Sequence, residues 1–176
     1  MYERRYELLK NLVDDINPHA FENLWVELAI EFQVICHSLF DCYYSKIKSM
    51  KKLPADSMFE NMNKFGKEAI VIAERIVLLL VKKEEKFEYT QVVINKRLSI
   101  GQIYTWLYFK EISDRIAAYR QALENYKLLK IFLDEYQSKL EMPANIAEQY
   151  KLTVEMIDLM PIKMAKNISV MEILIV

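Results

Sequence analysis

At 176 residues and 53% hydrophobic, the chain is long enough to bury a core of its own. Two glycines and four prolines leave little from which to build hairpin turns, which counts against a β fold and favours an all-α one. Twenty-four basic against twenty-five acidic residues give a net charge of −1, so there is no broad basic field for a phosphate backbone and no nucleic-acid partner is expected.

The first apolar run ends at Asn17-Pro18, which predicts a helix over 2–16. From Phe21 the apolar residues Leu24, Leu28, Phe32, Ile35 and Leu39 recur at threes and fours, predicting a helix over 21–50 with that face toward the core. Leu53-Pro54 breaks the pattern, with Asp56 and Ser57 as capping candidates. A helix over 57–82 follows, on Met58, Met62, Phe65, Ala69, Ile72, Ile76 and Leu79. Its most apolar stretch, residues 69–81, is interrupted by Glu74 and Arg75 and is too short to cross a bilayer, so no membrane insertion is expected. The mixed charges of "VKKEEKFEY" read as a loop. The helix over 90–112 has the weakest pattern, because it contains Gly101 and the β-branched run "QVVINKRL"; with no partner strand elsewhere, helix is still the reading. The fifth helix, 114–140, carries Ile116, Tyr119, Leu123, Tyr126, Leu129, Leu133 and Tyr136 at helical spacing. The sixth spans 144–167 after Met142-Pro143. The last nine residues, "ISVMEILIV", are apolar and β-prone and are set apart as a tail, 168–176, of undetermined structure.

Residues 1–167 therefore read as one helical domain. Short connections make neighbouring helices antiparallel, giving three stacked helical hairpins. The loops after the first, third and fifth helices then share one edge of the stack. Helices of this length, roughly 40–45 Å for the longest, exceed those of a tetratricopeptide unit, and no W-x2-L-G-x2-Y signature is present, so that likeness is architectural.

Chemistry is sparse. Asp14, Asp15 and His19 could serve as metal ligands or an acid–base pair, but no third or fourth ligand lies near in sequence, and a solvated break with Pro18 opening the next helix accounts for them. Two acids at a helix C-terminus oppose the dipole at about 0.3–1 kcal/mol each, which favours a role in partner contact. Cys36 and Cys42 are six residues apart on one helix, about 240° around it, so they cannot hold one ion between them and read as buried thiols. Cys36 and His37, being adjacent, diverge by about 100° and cannot form a nucleophile pair. The lysines of "KIKSMKKLP" suit a solvated helix C-terminus. With no GxxxxGK or GxGxxG loop, no cofactor, no metal and no catalytic activity are expected. Two thiols outside a CxxC spacing, and no leader-like N-terminus, point to a reduced, intracellular setting.

The segments "ELLKNLVDDINPHAFENLWVELAIEF", "ENMNKFGKEAIVIAERIVLLL", "LENYKLLKIFLDEY" and "VEMIDLMPIKM" resemble, in that order and spacing, the C-terminal domain of the kinesin-binding protein family. Asp15-Ile16-Asn17-Pro18 and Leu159-Met160-Pro161 with Lys163-Met164 carry the likeness most specifically. The resemblance implies a tetratricopeptide-like α-solenoid without catalytic activity that binds kinesin motor domains and keeps them off microtubules. It further implies roles in microtubule organisation, axon growth and mitochondrial transport, and a cytoplasmic, cytoskeleton-associated location with an association with mitochondria. A motor face that grips acidic tubulin is basic, so a competing surface should present acids on loops. The expected contact residues are Asp14, Asp15, Asn17 and His19 in the first break, with Glu84, Glu85, Lys139 and Glu141 on the same edge. A generic helical adaptor for a peptide or helix of another cargo protein is the alternative.

Overall fold

The computed structural model describes residues 2–18, 20–50, 54–79, 83–106, 111–139 and 142–175; the side chains at 2, 3, 83–85, 106, 112, 139 and 170–175 lie outside the description. Six helices follow in chain order: α1 (Tyr2–Asp15), α2 (Glu22–Ser49), α3 (Asp56–Leu79), α4 (Lys83–Trp106), α5 (Ile112–Lys139) and α6 (Ala144–Ile175). Among the described residues there is no strand.

The all-α expectation holds, and two boundaries differ from the expected ones by more than a turn. Helix α4 begins at Lys83, so the charged stretch read as a loop is helical from there. Glu and Lys are good helix formers, and no glycine or proline interrupts them. The C-terminal end of the predicted fourth helix, 107–110, lies outside the described residues. Helix α6 continues through Pro161 and the apolar tail to Ile175. Pro161 withdraws the N–H that would meet the Ile157 carbonyl, yet no breaker follows it, and the β-branched tail propagates the helix already nucleated upstream.

The chain divides into two compact units, Met1–Lys96 and Arg97–Val176. The division falls inside the single helix α4, and residues 1–167 as one helical domain remain a proposal.

In the first unit, α1 packs on α2 and α2 on α3. The order Arg5 to Glu31 and Val13 to Trp25 makes α1 and α2 antiparallel. Tyr6, Leu9 and Val13 bury one face of α1; Trp25, Ala29, Phe32, Cys36 and Phe40 bury that of α2; Met62, Phe65, Ala69, Ile72 and Ile76 bury that of α3. The face of α2 differs from expectation at its N-terminal end, where Phe21 and Leu24 are solvent-exposed and Trp25 is buried, whereas Phe32 and Ile35 are buried as expected. Apolar residues occur on both sides of this helix, so periodicity alone could not choose between the lines.

In the second unit, α5 packs on α6 through Ala122, Tyr126, Leu129 and Leu133 against Ile146, Thr153 and Met160. The C-terminal half of α4 approaches α5 closely at Gly101, where a Cβ would lie 2.6 Å from Cζ of Tyr126. Thr105 hydroxyl donates to the Gly101 carbonyl at 2.9 Å, and its oxygen lies 3.8 Å from Met160 sulfur.

Candidate partner-binding surface

The α1–α2 end is assembled from the residues of the first break. The N–H groups of Ala20 and Phe21 both donate to the Asn17 carbonyl at 3.1 Å, closing the turn around Pro18. Trp25, 1% exposed, sends its indole N–H to the Val13 carbonyl at 3.1 Å. That carbonyl belongs to the last turn of α1, where intrahelical donors run out, so the indole both fills the core and satisfies an orphan acceptor.

Asp14 is exposed and pairs with Lys10 one turn earlier at 3.1 Å, which offsets its unfavourable placement at the end of the α1 dipole. Lys10 also reaches Glu68 of α3 at 3.7 Å. Asp15 is exposed, and Asn17 sits exposed in the turn. His19 lies outside the described residues.

Beside these acids is a feature that the sequence reading assigned to the core or passed over. Leu8 (61% exposed) and Leu12 share the face of α1 that carries Arg5 and Asp15, and Leu24 shares the face of α2 that carries Glu31. The Arg5–Glu31 ion pair, 2.7 Å, joins the two faces, so these leucines and Phe21 (62% exposed) form one solvent-facing apolar patch with charged residues at its margin. The legible signal was the presence of two apolar lines on one helix, where a core needs only one.

Glu84 and Glu85 occupy the first turn of α4, and their side chains are outside the description. The Lys96–Asp41 contact brings the middle of α4 to α2. Lys139 closes α5 in the second unit with its side chain outside the description, and Glu141 lies outside the described residues.

The interior of the first unit holds polar groups in structural pairs. Tyr6 hydroxyl donates to Glu68 at 2.5 Å, and burial with the adjacent carboxylate pushes the phenol pKa up. Cys36 sulfur lies 4.0 Å from the same carboxylate, and burial pushes the thiol pKa up as well, which makes it a poor nucleophile. Cys42, expected to be buried, is exposed, since it lies well around the helix from Cys36. Lys96, 4% exposed, pairs with Asp41 of α2 at 2.5 Å and lies over the Phe40 ring. His37 contacts the other oxygen of Asp41 at 2.9 Å; burial and then the Lys96 charge lower its pKa. Among the described residues no group of three or more His, Cys, Asp or Glu is placed to hold a metal, and no helix is long and apolar enough to cross a membrane.

A family model described as "KIF-1 binding protein C terminal" matches residues 1–166. The chain belongs to this family. A curated relative, the KIF-binding protein of Bos taurus, is 22% identical over 174 residues, a match that covers 94% of this chain and 27% of the relative. The chain thus spans about a quarter of the length of that relative. No solved structure matches it. Within the family match lie the acidic first break, the apolar patch beside it, and most of α6.

Proposed function

We propose that this chain is a non-catalytic helical scaffold that binds kinesin motor domains and limits their attachment to microtubules. The observation that carries this reading is the exposed apolar patch of Leu8, Leu12, Phe21 and Leu24 beside Asp14 and Asp15, in a member of the KIF-1 binding protein family. An exposed apolar centre with charges at its margin is the form of a protein-docking surface, and its acids complement the basic face with which a motor grips tubulin. Asp14, Asp15 and Asn17 are the central proposed contacts, with His19, Glu84, Glu85, Lys139 and Glu141 as further contacts. In the cell this scaffold acts in the cytoplasm on the cytoskeleton, in association with mitochondria, and affects microtubule organisation, axon growth and mitochondrial transport.

Microtubule co-sedimentation of a kinesin motor domain, titrated with this chain, tests the proposal against an unrelated helical protein. A dose-dependent shift of the motor into the supernatant is the expected result. Replacing Asp14 and Asp15 together by lysine should weaken binding about tenfold and flatten its salt dependence. Equal affinity of the double variant would remove the acidic break from the contact surface. Binding to helical peptides but to no motor domain would replace the motor-specific reading with that of a generic adaptor.

A further inference from the structure

Helix α6 carries a second exposed face, independent of the α1–α2 end. Glu148, Leu152, Glu155, Leu159, Ile162 and Lys166 are all exposed, and at 100° per residue they fall within an arc of about 80°. Ile162 is 53% exposed. The opposite side of the helix is occupied, with Ile146, Thr153 and Met160 buried in the second unit. Neither Glu148 nor Lys166 forms an ion pair among the described residues. The face therefore has three apolar residues and Glu155 in its middle, an unpaired acid at its N-terminal end and an unpaired base at its C-terminal end.

We propose that this face is a homodimer surface, and that its occupant is α6 of a second copy running antiparallel. The charge order selects both the partner and the direction. When Leu152 of one copy is set opposite Ile162 of the second, Glu148 falls opposite the second copy's Lys166, and two-fold symmetry repeats both contacts at the other end. A parallel arrangement would place Glu148 against Glu148 and Lys166 against Lys166, which like-charge repulsion opposes. Leu159 then lies beside the two-fold axis, level with Glu155 of the second copy, whose methylene stem it covers. Three apolar side chains from each copy make a small interface core, so the dimer is concentration-dependent rather than obligate.

Sedimentation equilibrium of the 176-residue chain over a wide range of concentration tests this. The weight-average mass should climb from one copy toward two. Glu148→Lys and Lys166→Glu should each weaken the dimer about five- to tenfold, because each reverses two symmetry-related contacts. The double variant should return the dissociation constant to within about twofold of the parent, since it restores opposite charges at both ends. Both positions are exposed, and circular dichroism checks that helicity is kept. A chain that stays monomeric at every concentration would overturn the proposal. So would a double variant weaker than either single one, which would mean that the two residues do not face each other.

Discussion

The two compact units hold their helices together by different means. In Met1–Lys96 the contacts between helices include buried polar groups: the Trp25 indole on the Val13 carbonyl, Tyr6 on Glu68, and Lys96 on Asp41. In Arg97–Val176 the described interior has Tyr126 packed against the bare backbone of Gly101 and Thr105 bonded back to its own helix, and a polar link from α6 to α5, the Tyr150 hydroxyl on Asp134 at 2.8 Å, is exposed. Hydrogen-bonded pairs fix register by direction and charge, whereas a small residue beside a large one fixes it by sterics. The first unit should therefore be sensitive to loss of partners and to pH, and the second to added volume.

The largest expected effect is in the first unit. Trp25→Ala should lower its stability by about 3–5 kcal/mol in denaturant unfolding, through the cavity and the unsatisfied Val13 carbonyl together. A loss below about 1 kcal/mol would mean that the indole does not hold the α1–α2 end.

The matching test in the second unit adds one methyl group. Gly101→Ala gains helix propensity but drives a Cβ into the Tyr126 ring, and should cost about 1–3 kcal/mol. In a Tyr126→Leu background the same change should cost far less, because the clashing ring is gone. Equal costs in the two backgrounds would refute the steric account of the Gly101–Tyr126 contact.

The Lys96–Asp41 pair gives a smaller and asymmetric effect. Asp41→Asn leaves a buried ammonium without its countercharge and should cost about 1–2 kcal/mol, reduced from fully buried cases because Asp41 is half exposed. Lys96→Met removes the charge itself and should be close to neutral. If Lys96→Met were the more damaging of the two, the pair would be a net source of stability.

The smallest effect is the pH response of His37. The groups facing it are Asp41 on α2 and Lys96 on α4, and its folded pKa lies below the ordinary 6.5. The unfolded chain therefore takes up more protons than the folded one as pH falls through 6.5, so this contribution is fully present above that pH and is lost below it. His37→Gln should flatten the acid side of the stability–pH curve of the first unit. An unchanged slope would assign the acid sensitivity to other groups.

Much of the architecture was legible in the chain. Scarce glycine, apolar residues at threes and fours, and Asn17-Pro18, Leu53-Pro54 and Met142-Pro143 as breaks dictated an all-α fold and most helix positions, because these signals act locally on φ, ψ and the hydrogen-bond ladder. The family was legible as well, in short collinear motifs such as Asp15-Ile16-Asn17-Pro18. The acidic residues of the first break could be named from sequence, whereas the pairing of Asp14 with Lys10 required the spatial arrangement.

The tertiary structure alone decided which of two apolar lines on α2 is core. Phe21 and Leu24 satisfy helical periodicity with Phe32 as well as Trp25 and Ala29 do, and only the packing of α1 and α3 against one side leaves Phe21 and Leu24 in water. It also decided that Gly101 is a contact point rather than a weakness in α4, since its value comes from a ring twenty-five residues away. Local sequence sets where helices start and stop through short-range sterics and hydrogen bonding. Which of their faces meet depends on which neighbours arrive, and that is a property of the assembled chain.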